Sequence, residues 1–352
     1  MERTRARNLI GPIGILPTGS LNAITDVKGV SVGHTTLHQG SHIHTGVTAI
    51  LPHSESLYHN KVAAGIHIAN GFGKLAGSTQ LAELGEVETP ILLTNTLAVP
   101  TSMQAIIEYT LKTNQESDIR SINAIVGETN DGILNDITQF SITTSMAIQA
   151  IENAHGGCVE EGSVGAGSGT IAFGYKGGIG TSSRVCQIDG NPYTVGVLVQ
   201  SNFGGQLRVG NQPLQPRSAT TTPTSSTDGS VMIILATDAP VSDRNLNRLA
   251  ARSMAGLART GAAFSNGSGD YAIAFSTHPN TIRTAEKRIM AVSRYDELSN
   301  DIISPLFLGA IEATEEAILN SLFMATTVNG FRTSIQALPL EGFCMNDKKE
   351  RE

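Results

Sequence analysis

The stretch TTTPTSSTDGSVMIILATDAP, residues 220–240, changes character at a single peptide bond. Up to Gly229 it consists of Thr, Ser, Pro, Asp and Gly, which favour turns and loops. Residues 231–236 are continuously apolar, which is typical of a strand buried on both faces. A small hydroxyl residue, Ser230, lies at the boundary, behind a glycine and at the start of the predicted strand.

The rest of the chain alternates between short apolar runs and helical patterns. The runs predict strands at 47–51, 63–68, 91–93, 122–126, 194–199, 231–236 and 271–275. Apolar residues at helical spacing predict helices over 103–111, 146–151, 246–257 and 305–324, the third with Ser242 as its N-cap. This mixture favours a layered α/β architecture in one domain, residues 1–352.

Composition limits the possible classes of protein. The chain has 352 residues, 40% of them hydrophobic, a formal charge of −7 and a pI near 5.7. An acidic balance argues against a general nucleic-acid binder, and no apolar run reaches the ~18 residues of a membrane span. The three cysteines, Cys158, Cys186 and Cys344, are widely spaced and predict free thiols. We therefore expect a cytoplasmic protein with neither a nucleic-acid nor a membrane partner.

Residues 211–229 form the strongest break in composition. The segment NQPLQPRSATTTPTSSTD, 211–228, has three prolines and many hydroxyl residues but no sustained apolar period. We expect an exposed loop, and loops longer than about 12–15 residues are usually functional or disordered. A domain linker is the alternative interpretation.

Ser230 has two interpretations from this stretch alone. It simply ends a turn before a strand, or it is a nucleophile held rigidly by that strand. No GxSxG elbow and no nearby histidine supplies a base. Cutting the Gly229–Ser230 bond would supply one, because the new α-amine, with a pKa of about 7.7–8.0, could accept the Oγ proton.

Several blocks of the sequence decide between these interpretations. They are LNAITDVKGVSVGHTTL (21–37), HTGVTAILP (44–52), PILLTNT (90–96), GETNDGILND (127–136), GSGTIAFGYKGGIGTSSRV (167–185), YTVGVLVQSNFG (193–204) and DGSVMIILATDAP (228–240). In this order they resemble the DmpA-type aminopeptidases, which include the β-peptidyl aminopeptidases. The resemblance spans roughly residues 5–340 and is carried by several independent motifs.

The resemblance implies a fold and a maturation step. The fold is a four-layer αββα sandwich of the N-terminal-nucleophile hydrolase kind, with its own strand connectivity. The precursor would cut itself between Gly229 and Ser230, giving chains 1–229 and 230–352 that stay together. A homo-oligomer, with a tetramer expected, and activity without any cofactor or metal are also implied.

Matching motifs carry individual roles onto this chain. Ser230 would be the nucleophile, Asn202 would donate to the oxyanion, and Ser268 and Asp270 would place protons around the new amine. Relatives carry glutamate at the position of Asp270, and the sequence leaves open whether the shorter side chain reaches the amine. Glu128 would bind the ammonium of the substrate, with Asn130 beside it. Some relatives have tyrosine at that second position.

Two other patterns compete with this interpretation. GSVGAGSGT, 162–170, is rich in glycine like a phosphate-binding loop, but it lacks both the G-x-G-x-x-G register and a GK[ST] ending. Seven of the nine histidines fall between His34 and His67, and His42 and His44 would share one face of a strand. That spacing suggests a metal site, although no HExxH motif is present.

The sequence therefore predicts a self-processing aminopeptidase or amidase that acts on the N-terminal residue of short peptides, amides or esters. A non-catalytic oligomeric binding protein with an uncut loop is the alternative. A metal hydrolase that uses the histidines between His34 and His67 is a third hypothesis. Preference among L, D and β residues is not predicted.

Overall fold

The computed structural model describes residues 2–210, 212–213 and 229–343. Most of the predicted loop 211–229, and Cys344, lie outside the described residues. The chain positions its site through two β-sheets and the helices that cover them.

Seventeen strands are described. In chain order they are β1 (Ser31–Gln39), β2 (Ile43–Leu51), β3 (Val62–Gly71), β4 (Leu75–Ala76), β5 (Glu86–Val87), β6 (Ile91–Asn95), β7 (Ile125–Thr129), β8 (Ile171–Ala172), β9 (Tyr175–Lys176), β10 (Gly178–Ile188), β11 (Asn191–Asn202), β12 (Arg208–Val209), β13 (Gln212–Pro213), β14 (Ser230–Thr237), β15 (Gly269–Ser276), β16 (Val328–Asn329) and β17 (Ser334–Ile335).

Seven α-helices are described in the same part of the chain. They are α1 (Ala6–Ile10), α2 (Ser78–Leu84), α3 (Val99–Thr113), α4 (Thr144–Glu152), α5 (Asp243–Arg259), α6 (Ala285–Ile289) and α7 (Ser304–Phe323). None of these helices is both long and apolar enough to cross a membrane.

The larger strands form two sheets. The first has five strands in the order β1-β2-β6-β7-β4, and the second has six in the order β10-β11-β14-β15-β3-β5. Within the second sheet, β14 pairs antiparallel with β11 and parallel with β15. The strand that begins at Ser230 is therefore central, with neighbours on both sides.

Three apolar layers separate the elements. One lies between the first sheet and helices α3 and α4, and includes Val47, Ala49, Leu92, Ile106 and Ala147. A second lies between the sheets and includes Ile50, Leu93, Ile125, Met232, Ile234 and Ile273. A third lies between the second sheet and helices α5 and α7, and includes Ile233, Leu235, Leu246, Leu249 and Ala313. Helix, sheet, sheet and helix make the predicted αββα sandwich, which is confirmed.

Alternation along β14 explains why its sequence is uniformly apolar. Val231, Ile233 and Leu235 pack toward the helices, whereas Met232 and Ile234 pack between the sheets. A strand covered on both faces needs apolar residues at every position. Ser230 begins this strand on the same face as Met232, because side chains alternate along a strand.

One helix start differs in detail from the prediction. Ser242 occupies the N-cap position of α5, but its hydroxyl makes no capping hydrogen bond. It donates instead to Glu297. The prediction placed the N-cap residue correctly, but the expected capping hydrogen bond is absent because a nearby carboxylate binds the hydroxyl proton.

Candidate active site

Ser230 lies where three strands meet. It is the register partner of Asn202, the last residue of β11, and of Gly269, the first residue of β15. Its exposed fraction is 7%. Directly opposed residues on neighbouring strands have Cβ atoms about 5 Å apart, so Ser230 and Asn202 share a small volume between the two sheets.

Two hydrogen bonds to its carbonyl oxygen fix the position of the peptide bond between Gly229 and Ser230. That oxygen accepts a hydrogen bond from Gly269 N–H at 3.1 Å and one from Ser230 Oγ–H at 2.7 Å. A Cβ atom at position 229 would lie 2.3 Å from the carbonyl oxygen of Asn202, so only glycine fits there. The serine hydroxyl therefore lies against the peptide bond that the sequence predicts to be cut.

Asn202 is fixed by contacts at both ends of its amide. Its Nδ2 donates to the carbonyl oxygen of Asn130 at 3.1 Å, and its Oδ1 accepts from Ile171 N–H at 2.9 Å. A side-chain amide carries two N–H donors, and one of them satisfies Asn130. The orientation of Asn202 is therefore set by its neighbours, as an oxyanion donor requires.

Ser268 and Asp270 form a buried pair at the start of β15. Ser268 Oγ donates to Asp270 Oδ1 at 2.6 Å, and both residues are 2% exposed. Burial raises the pKa of Asp270, and the bond from Ser268 opposes that rise. Asp270 Oδ2 is buried without a hydrogen-bond partner in the described part of the chain. This oxygen can accept a hydrogen bond from a group that appears later, such as a new α-ammonium.

Glu128 lies in β7, on the facing five-stranded sheet, and is 3% exposed. Its Oε1 accepts from Lys74 N–H at 2.9 Å, and its Oε2 accepts from the hydroxyl of Thr96. A Cβ atom on the preceding Gly127 would lie 2.3 Å from Met232 Cε, so β7 and β14 face each other closely. Glu128 therefore belongs to the strand of the first sheet that packs directly against the strand of the predicted nucleophile.

Asn130 contacts the site in a different way from Glu128. Its side chain is exposed, and its Oδ1 accepts from Gly132 N–H at 2.9 Å. Its main-chain carbonyl, by contrast, holds the amide of Asn202. The described contacts therefore connect Asn130 to the site through its backbone.

Gln200 belongs to the site but was not singled out from the sequence. It is fully buried, and its Nε2 donates to Thr129 Oγ1 at 2.9 Å, to the carbonyl oxygen of Thr94 at 3.1 Å and to that of Ala166 at 2.9 Å. These bonds tie β11 to the facing sheet two residues before Asn202. A polar residue inside an otherwise apolar strand was the available signal.

The central amides of the glycine-rich stretch 162–170 are occupied. Gly165 N–H donates to Thr36 Oγ1 at 2.8 Å, and Ala166 N–H donates to Thr48 Oγ1 at 3.1 Å. Gly167 N–H donates to the Val164 carbonyl at 2.9 Å. Amides already bonded within the protein are not available to a phosphate, so residues 165–167 do not present the free donors of a phosphate-binding loop.

The histidines separate into different environments. His42 lies in the turn before β2, so the expectation that it shares a strand face with His44 is wrong, and its ring lies 5.6 Å from that of Phe331. His44 contacts His38, with their Nδ1 atoms 2.9 Å apart. The surface cleft beside this pair has none of the predicted catalytic residues in its lining. Within 2–210, 212–213 and 229–343, no group of three or more His, Cys, Asp and Glu side chains is placed to hold a metal ion.

Comparison with known proteins identifies the class. Residues 22–336 match the model of peptidase family S58. The chain is 40% identical over 370 residues to the beta-peptidyl aminopeptidase BapA of Sphingosinicella microcystinivorans, covering 96% of this chain and 90% of that protein. The beta-aminopeptidase structure from Burkholderia sp. has a TM-score of 0.90 and 35% identity, and covers 99% of both chains.

A further solved structure concerns the fold itself. The L-aminopeptidase D-Ala-esterase/amidase from Ochrobactrum anthropi is described as a prototype for the serine aminopeptidases and a new variant of the Ntn-hydrolase fold. It has a TM-score of 0.89 and 35% identity, and covers 96% of each chain. The fold and the buried serine thus define a serine aminopeptidase with an N-terminal-nucleophile fold.

The chain belongs to peptidase family S58. It is a self-processing aminopeptidase that acts on peptide substrates, as the sequence predicted. The alternative of a non-catalytic binding protein is not favoured by these relatives. Which residues are catalytic, and where the chain is cut, stay predictions from the sequence motifs.

Proposed function

We propose that the chain cuts itself between Gly229 and Ser230 and that Ser230 is the nucleophile in both self-cleavage and aminopeptidase activity. The observation that carries the proposal is the position of Ser230. Its hydroxyl lies 2.7 Å from the Gly229 carbonyl oxygen, and its register partners are Asn202 and Gly269, the residue between Ser268 and Asp270.

Self-cleavage would proceed through an ester. Ser230 Oγ attacks the Gly229 carbonyl carbon and loses its proton, and the C–N bond breaks as the Ser230 nitrogen takes up a proton. Gly269 N–H polarises the Gly229 carbonyl oxygen, which it already binds at 3.1 Å. Water then hydrolyses the ester, which releases the carboxylate of Gly229 and regenerates the hydroxyl. The products are 1–229 and 230–352.

Aminopeptidase activity would use the new N-terminus. The Ser230 α-amine accepts the Oγ proton while Oγ attacks the first carbonyl of the substrate. Asn202 donates to the oxyanion, an interaction worth about 3 kcal/mol in other hydrolases. The amine then protonates the leaving group, and water hydrolyses the acyl-enzyme. Ser268 and Asp270 orient the amine, because Asp270 Oδ2 has no other described partner.

Glu128 would select substrates with a free N-terminus. A buried carboxylate forms a strong charge-assisted bond with an ammonium, whereas an internal peptide offers it no charge. Asn130, two residues further along, would act through its backbone carbonyl, which holds the oxyanion donor Asn202. Substrates would be short peptides, amides or esters, and the named relatives support β-linked first residues among them.

The proposal is tested by intact mass and denaturing gel. Wild-type protein should appear as two chains whose masses sum to that of the precursor plus one water. Ser230→Ala should stay whole and release no p-nitroaniline from aminoacyl p-nitroanilides, whereas Ser230→Cys should still be cut because a thiol replaces the hydroxyl. An active wild-type enzyme with residues 229 and 230 still joined would contradict the mechanism.

Assembly and location extend the proposal. We propose a homotetramer, which the family resemblance and the exposed apolar residues Ile289, Met290 and Val292, with exposed fractions of 87%, 58% and 74%, support. A cytoplasmic location is supported by the free thiols of Cys158 and Cys186. Light scattering after size exclusion tests the assembly, since a monomer would overturn it. Cell fractionation tests the location.

A further inference from the structure

The space beside Glu128 is shaped by a glycine and an aromatic ring. A Cβ atom on Gly73 would lie 3.1 Å from Glu128 Oε1, 3.4 Å from Tyr271 Cε2 and 3.5 Å from Tyr271 Oη. The carboxylate and the phenol edge therefore converge on the point where any other residue would carry its side chain. Gly73 is partly exposed, so this point is near solvent.

Tyr271 connects that space to the nucleophile. A Cβ atom on Gly269 would lie 2.9 Å from Tyr271 Cε2, and Gly269 is the register partner of Ser230. Tyr271 is itself the partner of Met232, so its side chain lies on the same face of the sheet as Ser230. The ring thus lies between the backbone beside Ser230 and the carboxylate of Glu128.

The electrostatic surroundings of the phenol agree with this position. Burial raises the pKa of Tyr271, and the negative charges of Glu128 and Asp270 raise it further. The phenol therefore keeps its proton at neutral pH and remains a neutral group. A neutral hydroxyl oxygen beside a carboxylate can accept a hydrogen bond from a cation without adding a second negative charge.

We propose that Gly73 and Tyr271 are specificity-determining residues for the first residue of the substrate. The ammonium and the carbon that bears it occupy the space left by the absent side chain of Gly73, and the edge of Tyr271 forms the wall toward Ser230. This inference rests on the proposed role of Glu128 in binding the ammonium.

The distances explain why this space suits an ammonium. An ammonium nitrogen bonds a carboxylate oxygen at about 2.7–2.9 Å. A methyl group 3.1 Å from Oε1 would occupy nearly the same position and would displace it. Self-cleavage involves no free ammonium, so it should not depend on this space.

The test compares two alanine variants of neighbouring glycines. Gly73→Ala should self-cleave like the wild type, but its kcat/KM for β-alanyl and L-alanyl p-nitroanilides should fall at least about tenfold, mainly through KM. Gly71→Ala is the matched control, because its nearest contact would be Ile68 Cγ2 at 3.8 Å, an ordinary separation. It should stay within about twofold of wild type. Equal kinetics for the two variants would overturn the proposal.

A second variant covers the case in which Gly73→Ala does not self-cleave. Tyr271→Phe keeps the ring and removes only Oη, so we expect a KM increase of about threefold to tenfold with little change in kcat. In that case an unchanged KM for Tyr271→Phe overturns the proposal. Glu128→Gln separates this inference from the proposed function. If it leaves KM unchanged, the role of Glu128 fails; if it raises KM but Gly73→Ala and Tyr271→Phe do not, only the present inference fails.

Discussion

Two buried polar clusters lie toward opposite ends of the central strands of the second sheet. At one end, Arg184 is the register partner of Val195, which pairs with Thr237, the last residue of β14. At the other end, Ser230 is the first residue of β14. The first cluster has its charges fully matched, whereas the second contains a carboxyl oxygen with no described partner.

The Arg184 cluster joins segments that the proposed cut would separate. Arg184 is fully buried, and its guanidinium bonds Glu312 at 3.2 Å and Glu316 at 2.7 Å, both on α7. Glu316 also bonds Arg7 at 2.7 Å. Burial alone would raise the pKa of Glu316, but the bonds and charges of Arg7 and Arg184 hold it below its ordinary value. These contacts would keep 1–229 and 230–352 together.

The pKa of Asp270 is shifted in the opposite direction from that of Glu316. Its pKa is raised because a single neutral hydroxyl, that of Ser268, cannot offset the cost of burying the charge. The contrast separates a matched buried charge, which stabilises the precursor, from an unmatched one, whose partner in the proposed mechanism is the α-ammonium formed by cleavage.

The largest expected effect is on stability, from Arg184→Met. This change leaves Glu312 and Glu316 buried without their shared cation, and breaking a buried pair by removing one partner costs about 3–5 kcal/mol. Urea unfolding should be measured in the Ser230→Ala background, so that dissociation of cut chains does not complicate the transition.

Arg7→Met is the control for that measurement. The side chain of Arg7 is 29% exposed, and Glu316 keeps its bond to Arg184 when Arg7 is replaced. The loss of unfolding free energy should therefore be smaller than for Arg184→Met. Equal destabilisation by the two variants would show that the matched charges at Arg184 are not what holds the cluster.

The second prediction concerns Asp270→Asn, which removes the charge at nearly constant size. We expect kcat to fall about a hundredfold, because a neutral amide cannot stabilise the α-ammonium of Ser230. The free energy of unfolding of the uncut Ser230→Ala chain should change by less than about 1 kcal/mol, since no matched pair is broken. Progress curves and urea unfolding measure the two effects.

Asp270→Glu sharpens the same comparison. Glutamate is the residue expected at this position in relatives, so activity should stay within about tenfold of wild type. If Asp270→Asn retained full activity, or if it destabilised the chain as much as Arg184→Met, Asp270 would belong with the matched charges and not with the catalytic group.

Much of the fold could be predicted because its signals are local. The apolar run after Ser230 and the helical spacing of Leu246, Leu249 and Leu257 placed β14 and α5 correctly. β10 was missed, because its sequence GIGTSSRVCQI has few apolar residues. Its small residues are explained by close packing, since a Cβ atom on Gly180 would lie 2.0 Å from the carbonyl oxygen of Ala317 in α7.

Only those site residues that lie in recognisable sequence motifs could be predicted. The local sequence singled out Ser230, and motif matches added Asn202, Ser268 and Asp270. The structure places Ser230, Asn202 and Asp270 on three neighbouring strands, with Ser268 directly before the third. Gly73 and Tyr271 gave no signal, because a loop glycine and a strand tyrosine each have an ordinary structural explanation. Their significance depends on contacts between distant segments, which a single sequence does not display.

The smallest effect is a pH dependence that lies outside both clusters. His34 in β1 is partly buried, and its Nδ1 lies 2.9 Å from Thr48 Oγ1. Burial, and secondarily the charge of His155, lowers its pKa from 6.5 to about 4. The unfolded chain therefore binds the proton first, so the stability that neutral His34 contributes is present above pH 6.5 and is lost as pH falls toward 4.

This linkage predicts that the uncut Ser230→Ala chain with His34 intact loses about 2 kcal/mol more stability between pH 7 and pH 5 than the same chain with His34→Gln, because glutamine has no proton to take up. Urea unfolding of the Ser230→Ala background at both pH values measures the difference. His42→Gln, a change at an exposed histidine in the turn before β2, should keep the full loss. If His34→Gln lost as much stability as His42→Gln, the acid sensitivity would not come from His34. The carboxylate of Glu316, whose pKa is held below its ordinary value, would be the next group to test.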